Sequence, residues 1–83
     1  MSAEIIWANG NLAVLARLHR LRNMQPAWSP CGDRQYCVTL ACGDRAVSIL
    51  LNRSELIGAW KGSEADQSAI IRNLTQFMRS LTE

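Results

Sequence analysis

The chain has 83 residues, of which 48% are hydrophobic and 19% are charged, and its formal net charge is +2. This composition is typical of a globular protein and excludes a disordered or fibrous one, and the length favours a single domain over residues 1–83. All apolar runs are shorter than the ~20 residues that a membrane-spanning helix requires, and so mild a charge does not by itself indicate a nucleic-acid partner.

The amino-terminal third permits two interpretations. Asn9-Gly10 is typical of a type I′ turn, which would join a strand over 3–7 to a second strand beginning at Leu12. Segment 12–23 is instead rich in Ala, Leu and Arg, and Asn11 could cap a helix there. We therefore expect a short strand over 3–7 followed by a helix near 12–23, with the Asn9-Gly10 hairpin as the open alternative.

The next segment is predicted to be a loop, because Pro26 and Pro30 prevent a helix from continuing through it. Trp28 lies between the two prolines. Since tryptophan is enriched at binding hot spots, we expect Trp28 to be the exposed tryptophan of the chain. Arg34 and Tyr36 are expected to complete a contact patch beside it.

The clearest local pattern is an antiparallel hairpin, 35–42/45–51, around a two-residue turn at Gly43-Asp44. Glycine at the first turn position favours type II′. This register places one set of side chains on a common face: Tyr36, Val38, Leu40, Val47, Ile49 and Leu51. The opposite face collects small side chains: Cys37, Thr39, Ala41, Ala46, Ser48 and Leu50. Because these are only half polar, we expect helix 12–23 or a partner to cover that face at least in part.

Two helices are predicted after the hairpin. Asn52 caps the first, over 53–60, and Lys61-Gly62 ends it. Trp60 is expected to seal the junction between the two helices. Ser63 then caps a second helix over 64–81, whose apolar residues recur at spacings of three and four: Ile70, Ile71, Leu74, Phe77, Met78 and Leu81. The sequence thus predicts a small α+β domain in which an antiparallel sheet packs against helix 64–81.

No metal or cofactor site is predicted. The three cysteines, Cys31, Cys37 and Cys42, form an odd set without a CxxC pair, which favours reduced thiols over a disulfide framework. Adding the distant His19 does not give the regular spacing of a zinc site. The free thiols, together with the acidic Glu4 where a secretory signal would carry basic residues, predict a cytoplasmic protein.

No catalytic residues are predicted either. His19 is the only histidine, and no local motif brings a cysteine to it as a nucleophile. Asp33 and Asp44 each lie in a Gly-Asp-Arg triplet and are best explained as turn residues. We therefore expect a protein that is not an enzyme.

The densest basic cluster is Arg17, Arg20 and Arg22. On a helix, Arg17 and Arg20 would be neighbours at i and i+3 and could bind an acidic protein surface or phosphates. Nucleic-acid binding through this cluster is the alternative function, although no glycine-rich phosphate loop, zinc finger or RNA-recognition signature accompanies it.

The sequence favours a small module that binds another protein stoichiometrically, as an adaptor, an inhibitor or a regulatory subunit, and it is compatible with a homodimer. Binding would use the free edge or the uncovered face of the hairpin, or the arginine-bearing helix. The residues expected to contact the partner are Arg17, Arg20, Trp28, Arg34, Thr39 and Ser48.

Overall fold

A computed structural model describes residues 2–82 and shows an α+β domain, which confirms the predicted class. The elements in chain order are helix α1 (Ala3–Leu18), strands β1 (Gln25–Cys31), β2 (Gln35–Cys42) and β3 (Arg45–Asn52), and helices α2 (Arg53–Trp60) and α3 (Glu64–Thr82). The strands form one antiparallel sheet in the order β1-β2-β3. None of the helices within residues 2–82 is long and apolar enough to cross a membrane.

The strand predicted over 3–7 is wrong, because these residues form the first turns of α1. Asn9-Gly10 lies inside this helix and makes no turn, and the helix ends at Leu18 rather than near residue 23. The reason is a buried stripe at helical spacing, formed by Ile5, Ala8, Leu12 and Ala16. Burial of this stripe outweighs the poor helix propensity of Asn9-Gly10-Asn11, since propensity is a weak influence beside tertiary packing.

The loop predicted around Trp28 is also wrong, because it is strand β1. Trp28 pairs with Val38 of β2, and the two prolines pair with Leu40 and Tyr36. A strand at the edge of a sheet has alternate N–H groups that face away from its neighbour, and proline is tolerated at those positions.

The hairpin is confirmed together with its register. Val38 lies opposite Ile49 and Leu40 opposite Val47. Gly43 has φ +65°, the left-handed region expected for the first position of a type II′ turn. A turn read from local chemistry therefore fixed which side chains share each face of β2 and β3.

Helix α2 has its predicted bounds and α3 ends one residue beyond them. The Asn52 carboxamide oxygen accepts hydrogen bonds from the backbone N–H groups of Ser54 (2.9 Å) and Glu55 (3.3 Å), as expected of a helix cap. Five of the six apolar residues predicted on α3 are buried, and Ile71 is 39% exposed. The α3 stripe packs with α1, α2 and one face of the sheet in a single core.

Two glycines in helices provide a matched pair of stability predictions. A Cβ atom at Gly10 would meet nothing within 4 Å, whereas at Gly58 it would collide with the Asp66 carboxylate and lie 2.9 Å from its Cγ. Gly10→Ala should raise the free energy of unfolding by about 0.5–1 kcal/mol, because alanine loses less backbone entropy in a helix. Gly58→Ala should lower it by about 1 kcal/mol, since overpacking outweighs that gain.

Urea denaturation at one protein concentration measures both changes. Gly10→Ala serves as the control for the general effect of replacing glycine in a helix. Equal stabilisation by both substitutions would show that Asp66 moves aside at no cost and that α2 and α3 are not closely apposed at Gly58.

Candidate functional site

All three helices lie on one side of the sheet, and the other side carries no covering element within residues 2–82. The strand register places twelve side chains on this open side, which we name the outer sheet face: Gln25, Ala27, Ser29, Cys31, Gln35, Cys37, Thr39, Ala41, Ala46, Ser48, Leu50 and Asn52. Ten of them are exposed, and Cys37 and Thr39 at the middle strand are half-buried. Of the two covers expected for this face, helix 12–23 or a partner, the helix is therefore wrong, and covering by a partner stays a prediction.

The centre of the outer sheet face is a row formed by Ala27, Thr39 and Ser48. The hydroxyls of Thr39 and Ser48 lie 2.7 Å apart and hydrogen bond to each other. Leu50, in the next row, is 52% exposed and is the largest apolar side chain on the face. The result is a flat surface of small side chains with polar groups that partly satisfy one another.

The outer sheet face contains no charged residue, although 16 of the 83 residues are Asp, Glu, Lys or Arg. Along a strand with one solvated face, residues that face solvent alternate with residues that face the core, and the solvent-facing residues are normally polar or charged. The cores of protein interfaces are by contrast depleted in charge. This surface thus has the composition of an interface and the exposure of a free surface.

Trp28 lies on the covered side of the sheet, which corrects the expectation that it is exposed. Its indole N–H donates a 2.7 Å hydrogen bond to Asn9 Oδ1 of α1. Its ring makes an edge-to-face contact with Tyr36 at a centroid distance of 6.2 Å. The Tyr36 hydroxyl in turn donates to the carboxylate of Glu4, at 3.1 Å. Trp28 and Tyr36 therefore attach α1 to the sheet.

Arg34 is exposed in the turn between β1 and β2. It lines a groove of about 420 Å³ together with Asp33, Arg53 and Ser54 at the start of α2. Arg53, which was not predicted to belong to the patch, has its guanidinium carbon 5.9 Å from the centroid of the Tyr36 ring. Of the predicted patch, Trp28 and Tyr36 do contact each other, but on the covered side of the sheet, whereas Arg34 is exposed in the turn.

The arginine cluster is exposed but is not a helical pair. Helix α1 ends at Leu18, and Arg20 has φ +57°, so its backbone is left-handed. The N–H groups of Arg20 and Leu21 donate to the carbonyls of Arg17 and Ala16 at 3.1 and 2.9 Å, which closes the helix in a Schellman motif. Arg17 lies in the last turn of α1, where a cation interacts favourably with the helix dipole. The premise that Arg17 and Arg20 are neighbours on one helix is therefore wrong.

Trp60 is 46% exposed, so the expectation that it seals the junction of α2 and α3 is also wrong. The buried contacts between these helices come instead from smaller residues such as Leu56 and Ala59. Cys31 is exposed, while Cys37 and Cys42 are half-buried, and all three thiols are free. Among residues 2–82, no three His, Cys, Asp or Glu side chains are grouped so that they could hold a metal ion.

Sequence reasoning missed the contribution of β1 to the outer sheet face. A signal was present, because small or polar residues (Gln25, Ala27, Ser29 and Cys31) alternate with the apolar Pro26, Trp28 and Pro30 at the two-residue period of a strand. The two prolines concealed this alternation, since proline within a run normally argues against a strand. The sequence thus predicted the β2 and β3 parts of the surface and omitted its third strand.

No protein-family model matches the chain, and neither the curated proteins nor the solved structures compared with it include a significant match.

Proposed function

We propose that this protein is a small cytoplasmic binding module, an adaptor, inhibitor or regulatory subunit rather than an enzyme, that docks another protein on its outer sheet face. The observation that carries the proposal is the absence of any charged side chain from this exposed, three-stranded surface. The partner presents a largely apolar surface with a few polar groups, because charges buried against this face would find no opposite charge there.

The shape of the outer sheet face supports the same proposal. Ala27, Ala41 and Ala46 project little above the backbone, so a partner can approach the sheet closely. Thr39 and Ser48 already bond to each other, so covering them leaves one hydroxyl proton in need of a partner instead of two. Of the six contact residues expected from the sequence, Thr39 and Ser48 are the two that belong to this surface.

Nucleic-acid binding is less well supported. Sheets that bind single strands present aromatic side chains on which bases stack, together with basic residues. The outer sheet face has neither kind of residue. The cluster of Arg17, Arg20 and Arg22 is explained in part by the termination of α1.

A pair of alanine-to-glutamate variants tests the proposal. Ala27 lies in the central row of the outer sheet face, and Ala65 lies in the first turn of α3; both are exposed. The tagged wild-type chain should capture one defined protein in its native host. Ala27→Glu should weaken that complex by roughly tenfold or more, because the new carboxylate would be buried without a partner.

Ala65→Glu is the matched control. It adds the same charge at a helix N-terminus, where a carboxylate is favourable, and should bind as wild type does. Equal binding by the Ala27→Glu variant would contradict docking on the outer sheet face. Recovery of DNA or RNA instead, with an affinity that falls steeply with salt, would favour the nucleic-acid alternative.

A further inference from the structure

The two edges of the sheet differ in the backbone groups that they expose. Gly43-Asp44 is a two-residue turn, so the flanking pair Cys42 and Arg45 is hydrogen bonded, and hydrogen-bonded pairs then alternate along the hairpin. Val47 and Ile49 therefore direct their N–H and C=O groups toward β2. Ala46, Ser48 and Leu50, which we name the β3 edge residues, direct theirs away from the sheet.

The alternation of inward and outward backbone groups leaves fewer hydrogen-bond donors on the free edge of β1. Val38 bonds to β3, so its partner Trp28 directs its backbone groups outward, and so do Pro26 and Pro30. Proline has no N–H group. Trp28 is consequently the one outward N–H donor among the three, and two pyrrolidine rings flank it. Such an edge offers few donors to another strand, and prolines at a sheet edge are a recognised protection against edge-to-edge association.

The β3 edge residues have no such protection. No strand lies beyond β3 among residues 2–82, and Ala46, Ser48 and Leu50 each retain an outward donor and acceptor. All three side chains are exposed and none is charged. Beside this edge, a groove of about 300 Å³ separates β3 from α3, and its polar lining residues, Asn73, Gln76 and Ser80, are uncharged as well.

We infer that β3 pairs antiparallel with β3 of a second copy of this chain, around a two-fold axis at Ser48. This inference goes beyond the proposed docking of another protein and does not depend on it. A two-fold axis at Ser48 pairs Ser48 with itself and Ala46 with Leu50 of the second copy, so every β3 edge residue gains a hydrogen-bonded partner. The large Leu50 side chain then lies beside the small Ala46.

The charges at the ends of β3 fit this arrangement. The pairing places Asp44 near the uncharged Asn52 of the second copy, and the Arg53 guanidinium of each copy lies against the Tyr36 ring of its own chain. Arg45 does not intrude, because its guanidinium donates to the carbonyls of Leu81 (3.0 Å) and Ser80 (3.4 Å) within its own chain. The inferred contact thus forms without like charges facing each other.

Amide hydrogen exchange of the wild-type chain at high concentration tests the pairing at single residues. The outward N–H groups of Ala46, Ser48 and Leu50 should be protected, and their protection should fall on dilution. The outward N–H of Trp28 should exchange at a rate that dilution does not change. Exchange of the three β3 amides that is fast and independent of concentration would overturn the inference.

Two variants at one position test the same contact by mass. Ala46→Pro removes an outward N–H without removing a bond to β2, and Ala46→Val adds comparable bulk but keeps the N–H. By analytical ultracentrifugation, wild type and Ala46→Val should be dimers, and Ala46→Pro should raise the dimer dissociation constant by roughly tenfold or more. A monomeric wild type at the highest soluble concentration, or equally stable dimers of both variants, would refute the inference.

If Ala46→Pro does not fold, as judged by circular dichroism, a cysteine placed on the axis provides the second measurement. Ser48→Cys, in a background with Cys31, Cys37 and Cys42 changed to Ser, should form a covalent dimer under mild oxidation. Thr39→Cys in the same background is the control, because Thr39 lies on the middle strand and cannot meet its copy across β3. Equal cross-linking at both positions would contradict the pairing. Partner capture by the Ala27→Glu variant tests only the proposed function, so the two proposals can fail separately.

Discussion

Phe77→Ala should lower the free energy of unfolding by about 3–5 kcal/mol, the usual cost of removing a buried aromatic ring. Phe77 is 1% exposed and lies on the stripe of α3 that faces the sheet. A chain of 83 residues has a total stability of roughly 4–12 kcal/mol. The substitution should therefore remove a large share of the total stability, and it would unfold the chain outright if that total lies near the lower end of this range.

Circular dichroism during urea and thermal denaturation measures this effect. Ile71→Ala on the same helix is the control, because Ile71 is 39% exposed and its truncation should cost less than about 1.5 kcal/mol. Equal losses for the two variants would show that α3 does not present the Phe77 side to the core. Both variants must be measured at the same protein concentration, because dimerisation would make the apparent free energy of unfolding depend on concentration.

Trp28→Ala should lower the free energy of unfolding by roughly 2–4 kcal/mol. The indole is half-buried, packs against the core and Tyr36, and donates to Asn9 on α1. Its removal leaves both a cavity and an amide oxygen without this donor. Trp28→Phe should recover the packing and lose mainly the hydrogen bond, for a cost of about 1 kcal/mol.

Trp60→Ala is the matched control for the loss of stability expected of Trp28→Ala. Trp60 is 46% exposed, so its truncation should cost less than half as much. Denaturation followed by circular dichroism avoids the change in tryptophan fluorescence that both substitutions cause. If the Trp28→Ala chain keeps wild-type stability but no longer captures the partner, the prediction is wrong. Trp28 would then be a contact residue, as the sequence suggested.

The elements that could be predicted are those defined by local chemistry. The turn at Gly43 requires a positive φ at one position, and Asn52 offers a side-chain acceptor to the first N–H groups of α2. Neither requirement depends on the rest of the fold. The hairpin register and the bounds of α2 could therefore be predicted from a few adjacent residues.

The elements that could not be predicted depend on distant contacts. Gly10 lies inside α1 because the helix buries its stripe and Asn9 accepts a hydrogen bond from a residue 19 positions away. Pro26 and Pro30 are compatible with β1 only because that strand lies at an edge, which requires knowledge of the strand order. The outer sheet face combines both cases, because its β2 and β3 residues could be predicted from the hairpin register and its β1 residues could not.

The prolines of β1 also limit how large an assembly of this protein can become. When both edge strands of a sheet can pair with a further strand, copies of the protein can add at each edge without limit, and such growth produces fibres. Here the edge formed by Pro26, Trp28 and Pro30 stays outermost when any strand is added at β3. If β3 pairs with β3 of a second copy as inferred, the dimer has a proline-bearing edge at each end of its sheet, and we expect growth through the sheet to end after that one addition.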